Sequence, residues 1–264
     1  MNRFPVRTLW CFALVLVLGL LSCEKHDQPI TPTPVSSSDT TGKHIKDSLW
    51  AYYPIKGSVA DSSGHNHLLT LLGGAALTYD AWGNDQEAIN FNGSTNYAII
   101  TDGSLFPASD FSVSFFVMLR ENRGLFFGKQ DYSSARAASF NVGIDPVLAG
   151  PTTRFSITSN QSNICSQTPT GGIVATNVNA FYSYAWYHVA ITYSNGIMKL
   201  YTNGTLVATQ TTPFQQITTC ASGLFILGDW WSGGHNLMNG KMDELRIYTR
   251  AISANEVRYL FAQR

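Results

Sequence analysis

Large apolar side chains alternate most regularly with polar ones between residues 186 and 210, WYHVAITYSNGIMKLYTNGTLVATQ. Tyr187, Val189, Ile191 and Tyr193 fall on one side of an extended run, the period-two pattern of a strand. The run breaks at Asn195-Gly196, resumes over 197–202, breaks again at Asn203-Gly204 and continues over 205–209. A two-residue type I′ turn needs φ > 0 at both central positions, which Asn tolerates and Gly adopts freely. The pattern therefore predicts three consecutive antiparallel strands. One face of such a meander is apolar, so a second sheet must cover it.

Similar runs predict strands at 49–55, 68–72, 88–91, 97–101, 111–119, 125–128, 139–144, 154–158, near 173–174, and at 224–227 and 241–248. A polar connection containing Trp82 separates the second from the third, and 159–184 is otherwise a long loop region. One helix is predicted over 251–261, with Ser253 as N-cap and Glu256 three residues on, a capping-box pattern. No repeat of 20 to 50 residues is evident.

Three stretches give this succession a recognisable order: EAINFNGSTNYAII (87–100), DFSVSFFVMLR (110–120) and NGKMDELRIYTRAISANEVRYLF (239–261). Together with the central meander they resemble the laminin-G-like, concanavalin-A-like jelly roll. The match is to a bacterial subfamily ending in a G-K-hydrophobic-D-[DE]-hydrophobic-R-hydrophobic-Y strand, and it runs from about Leu49 to Phe261. It implies an all-β, two-sheet antiparallel sandwich with one short C-terminal helix. That fold hosts lectins, adhesion modules, glycanases and structural domains, so it constrains shape far more than activity.

The N-terminus belongs to targeting. Arg3 and Arg7 precede an almost unbroken apolar run over 9–21, too short to span a bilayer comfortably. Leu20-Leu21-Ser22-Cys23 resembles a bacterial lipobox, which implies that residues 1–22 are a signal peptide and that Cys23 carries the lipid anchor. The alternative is an ordinary secretory signal with an incidental Cys. The polar Glu24-Lys25-His26-Asp27 that follows resembles the export signal of lipoproteins on the outer face of the outer membrane. Residues 23–46, rich in Pro, Ser and Thr, read as a tether, and 47–264 as the jelly roll. Asp47-Ser48-Leu49 also resembles a bacterial O-glycosylation acceptor.

Composition fits this placement. Without residues 1–22 the chain carries 15 basic and 17 acidic groups, with no basic run or Arg-rich helix to suit a nucleic acid. Cys11 leaves with the signal and Cys23 takes lipid, so Cys165 and Cys220 remain. Outside the cytoplasm an even pair suggests a disulfide closing a loop of about 55 residues, the alternative being two buried thiols.

Candidate chemistry is sparse. Asp85-x-Glu87 is the nearest match to a glycanase carboxylate pair, but it lacks a third acid and precedes a strand. Asp243 and Glu244 are adjacent, so a regular strand would send them to opposite faces. His188 reads as a structural core residue, and His65-Asn66-His67 as a solvated turn without a third metal ligand. The resemblance implies calcium, with Asp61 after the first strand and Asp243 in the last as its best pair. For a ligand, Asp229, Trp230 and Trp231 sit in a Gly-rich loop, and Tyr132 and Tyr182 fall in other predicted loops. Aromatic rings stack on the C–H faces of sugars. The expected protein is non-catalytic, a surface lipoprotein that binds carbohydrate as accessory to an outer-membrane glycan-uptake system and its transporter. The alternative is a structural or adhesion lipoprotein binding an envelope protein.

Overall fold

A computed structural model describes residues 41–103, 106, 109–131, 138–145, 152–157, 173–177, 181–212, 215–217, 223–228 and 237–263. Its strands are β1 (Leu49–Tyr53), β2 (Leu69–Leu72), β3 (Ala76–Thr78), β4 (Ala88–Asn92), β5 (Tyr97–Ile100), β6 (Phe111–Leu119), β7 (Gly124–Asp131) and β8 (Ala138–Asp145). They continue with β9 (Thr152–Ile157), β10 (Ile173–Asn177), β11 (Trp186–Ser194), β12 (Ile197–Thr202), β13 (Thr205–Thr211), β14 (Gly223–Leu227) and β15 (Asn239–Tyr248). Helix α1 (Ala254–Ala262) closes the chain.

The Asn-Gly turns adopt the expected backbone. Asn195 and Gly196 have φ of 48° and 77°, Asn203 and Gly204 of 49° and 75°, and the turns join β11, β12 and β13 into one antiparallel meander. This meander is one flank of an eight-stranded sheet ordered β13-β12-β11-β6-β15-β4-β3, with β1 also paired to β15. The facing sheet runs β10-β9-β8-β7-β14-β5-β2. The architecture is thus the two-sheet antiparallel jelly roll. Asn92-Gly93 does different work from the other two turns. Asn92 Oδ1 accepts from the backbone N–H groups of Ser94, Thr95 and Asn96, and the chain passes from the first sheet (β4) to the second (β5).

Between the sheets lies an aromatic core. Phe111 stacks on Phe140 at 4.5 Å and Phe127 on Phe225 at 5.2 Å, with Phe106 edge-on to Phe225 at 5.1 Å. Lys129 of β7 enters it, fully buried, its ammonium 5.8 Å from the centre of the Phe106 ring and without a hydrogen-bond partner among the described residues. Strand β6 is buried on both faces. Its outer side is covered because α1 packs Val257 and Leu260 against a second cluster with Leu49, Ala190, Tyr201 and Tyr248. The helix starts as expected: Ser253 Oγ accepts from the N–H of Glu256, whose carboxylate accepts from the N–H of Ser253.

Two local features depart from the sequence reading. Ala76–Thr78 is a strand, paired to residues 88–90, in what read as a polar connection. Three residues are too few for alternation to register. The other lies in the expected tether, where Thr41–His44 forms a 3₁₀ turn. Arg250 holds this region by donating to the carbonyls of His44 and Asp47 while its guanidinium pairs with Glu256. Cys23, Cys165 and Cys220 lie outside the described residues.

The feature that positions the site is a break in β15. Residues 239–242 pair with β4 and residues 245–248 with β1, both on the same edge, so β4 and β1 meet end to end. On the other edge, Asp243 lies opposite Phe116 and Arg246 opposite Ser114, which puts one extra residue in β15. This is a β-bulge, and Glu244 within it has φ of 54°, a left-handed conformation rarely taken by residues other than Gly.

Candidate functional site

Of the two residues singled out for calcium, Asp61 is engaged by the chain's own donors. Asp61 accepts four hydrogen bonds, from the N–H groups of Tyr52, Ser63 and His67 and from the Ser63 hydroxyl. An ionised carboxylate has about four lone-pair sites, so the chain itself fills this one. Burial opposes ionisation of Asp61, but the donated bonds outweigh it and hold the carboxyl below its usual range. Asp243 Oδ1 accepts the N–H of Glu244 at 2.6 Å. Among the described residues no three His, Cys, Asp or Glu side chains cluster to hold a metal.

The histidines are structural in different ways. His65 is exposed, as a solvated turn requires, but His67 is buried, stacked on Trp50 at 3.5 Å with its Nδ1 2.5 Å from Asp102. Stacking under Trp50 of β1 removes it from solvent. His188 is buried with Nε2 2.8 Å from the Ser114 hydroxyl.

Where β1 and β4 meet, the sheet opens into a cleft of ≈ 220 Å³. Pro54 and Lys56 enter it from the end of β1, Glu87 from the start of β4, and Leu260 and Gln263 from the end of α1. The β3–β4 loop adds Asp80, Trp82 and Asn84. Asp80 shapes that loop by accepting from the N–H groups of Trp82 and Asn84 and from the Asn84 amide. Trp82 is left 58 % exposed, with Tyr79 nearby in the loop at 55 %. Lys241 donates to the carbonyl of Tyr79 and ties the loop to β15.

The bulge also changes the reading of Asp243 and Glu244. With one extra residue in the strand, strict alternation fails, and both carboxylates line the cleft beside Phe116. Glu244 is fixed there by Arg246 at 2.6 Å and by the Tyr52 hydroxyl at 2.9 Å. Arg246 lies in turn over the Tyr52 ring at 4.0 Å. Burial, aided by Glu244, keeps the Tyr52 hydroxyl protonated well above its ordinary range. Asp85 and Glu87 flank Gln86, whose φ of 60° interrupts the extended backbone, and only Glu87 lines the cleft. Strain and bulges gather where a chain must aim side chains at a ligand. An indole face among carboxylates, two amides and an ammonium can stack on a ring and exchange hydrogen bonds with hydroxyls.

Of the ligand residues expected from sequence, Tyr182 is described. It is 68 % exposed in the turn before β11, beside Tyr184 at 71 %, and does not line the cleft. Tyr132, Asp229, Trp230 and Trp231 lie outside the described residues. The cleft was hard to see in sequence because its walls come from five separated segments. Trp82, an aromatic in a polar stretch, was the one local signal.

Solved structures share this architecture. Domain 4 of AbnA, a GH43 extracellular arabinanase from Geobacillus stearothermophilus in complex with arabinotriose, superposes with a TM-score of 0.62 at 24% identity, over 80% of this chain and 97% of that one. The ligand binding domain of botulinum neurotoxin serotype D, in complex with N-acetylneuraminic acid, does so with a TM-score of 0.64 at 14% identity, over 85% of this chain and 53% of that one. The chain thus spans about half the length of the toxin domain. No curated protein matches it in sequence. The family model of the concanavalin A-like lectin/glucanases superfamily matches residues 92–258, a span that holds β5 to β15 and the start of α1, and the chain belongs to that superfamily.

Proposed function

We propose that this protein is a non-catalytic carbohydrate-binding module, displayed at the cell surface on a lipid anchor at Cys23. One observation carries the reading: on a lectin-type sandwich, the bulge in β15 opens a cleft whose rim is the exposed indole of Trp82. The sugar complexes of the arabinanase domain and of the toxin domain support it. The lipobox-like Leu20-Leu21-Ser22-Cys23 and the Pro-rich stretch behind it support a tethered module serving an outer-membrane glycan-uptake complex. Affinity electrophoresis through gels containing polysaccharides tests the binding. Wild-type protein is retarded by at least one polysaccharide and Trp82→Ala migrates freely, with an unchanged melting temperature because the side chain is largely exposed. Equal migration of both proteins on every polysaccharide would refute the assignment.

The exposed Tyr182 and Tyr184 favour a second reading, adhesion to an envelope protein, since paired aromatics beside a polar turn suit a protein contact. Co-purification of a membrane protein, lost in Tyr182→Ala/Tyr184→Ala and kept in Trp82→Ala, would select it.

A further inference from the structure

We infer that the cleft takes one uncharged sugar residue, the end of a neutral glycan chain, and rejects acidic sugars. This rests on the carbohydrate reading above and goes further by naming the ligand class. Size is the first argument. At ≈ 220 Å³ the cleft falls below the roughly 300–1,000 Å³ of pockets that enclose larger ligands, so it holds one ring rather than a run of polymer. The N–H of Gly57 donates to the carbonyl of Gln86 at 2.9 Å and joins the two loops that carry Lys56 and Glu87. The end of α1 forms another wall through Leu260 and Gln263.

The second argument is which polar groups remain available. Asp80 is occupied by three donors of its own loop, and Glu244 by Arg246 and Tyr52. Asp243 accepts from the N–H of Glu244. Glu87, Lys56 and the side-chain amide of Gln263 make no such bonds within the described chain. A carboxylate, an ammonium and an amide beside an exposed indole match ring hydroxyls over a C–H face. The third argument is charge. The lining holds four carboxylates, Asp80, Glu87, Asp243 and Glu244, against the ammonium of Lys56, and with Arg246 paired to Glu244 the balance is still negative. A uronate or sialate would bring its own carboxylate into a partly desolvated site of like sign, where repulsion is poorly screened. A neutral ring meets no such opposition. Glu87 is thus the specificity-determining residue: it accepts from a hydroxyl and repels an acid.

The test uses full-length mature protein in detergent, titrated by NMR. The panel contains arabinose, xylose, glucose, galactose and mannose, their linear trisaccharides, galacturonic acid and N-acetylneuraminic acid. At least one neutral monosaccharide binds, its trisaccharide binds within about threefold of it, and both acids bind at least about tenfold more weakly. Glu87→Gln weakens the neutral sugar by about tenfold and narrows its advantage over the acids. An acid binding better than its neutral counterpart, or a trisaccharide more than about thirtyfold tighter than the single sugar, would overturn the inference while leaving carbohydrate binding in place. If no sugar binds and Trp82→Ala changes nothing, the carbohydrate reading falls as well.

Discussion

Lys129, an ammonium buried in the aromatic core, links stability to alkaline pH. Burial pushes its amine down from 10.5 to about 8, and among the described residues it has no hydrogen-bond partner to offset this. In the unfolded chain the amine titrates near its ordinary value, so between pH 8 and 10.5 the unfolded state binds more protons than the folded one. Stability therefore rises as pH climbs through that window, and below pH 8 the full penalty remains. Lys129→Met fills the space without a charge, and we expect it to stabilise the protein at pH 7 by roughly 2–3 kcal/mol and to flatten the alkaline rise. Urea denaturation at pH 7 and pH 10 measures both. Asp61 shows the opposite sign. Its carboxyl is held below the usual range by bonds that outweigh burial, so its contribution is present at neutral pH and is lost as pH falls through its depressed folded value. We expect Asp61→Ala to lower stability by about 2 kcal/mol at pH 7, read by the same denaturation, because three backbone N–H groups lose their acceptor.

At the scale of elements, what could be foreseen from sequence is what is determined locally. The turns at Asn195-Gly196 and Asn203-Gly204 and the Ser253/Glu256 cap each depend on residues within four positions of one another, and all form as expected. The bulge depends on how β15 meets β6, β4 and β1, partners more than 100 residues away in sequence, and nothing in Asp243-Glu244 itself announces it. Strand β3 was likewise hidden, being defined only by its pairing to β4. The capping box yields a graded prediction. Ser253→Ala removes one bond at the helix start and costs about 1 kcal/mol. Glu256→Ala costs more, on the order of 3 kcal/mol, because it also strips Arg250 of its carboxylate partner. Equal losses in denaturation midpoints would show that Arg250 gains nothing from Glu256.

For the whole molecule, the two-sheet sandwich was legible because alternation and Asn-Gly turns recur along most of the chain. The cleft was not, since Lys56, Trp82, Glu87, Asp243 and Gln263 become neighbours only when both halves have folded. Attachment is tested at this scale. Cys23→Ser should move the protein from the membrane fraction to the soluble fraction of fractionated cells without altering its melting temperature. Retention of the variant in membranes would show that another segment holds it there.

The end-to-end junction along β15 has a mechanical corollary. Residues 41–48, clasped by Arg250, lead into the start of β1, and the cleft opens at the far end of the same strand. Tension applied between residues 41–48 and a gripped ligand would run along the axis of β1. The β1–β15 hydrogen bonds would then be loaded together in shear rather than peeled one by one, and the facing sheet would carry almost none of the pull.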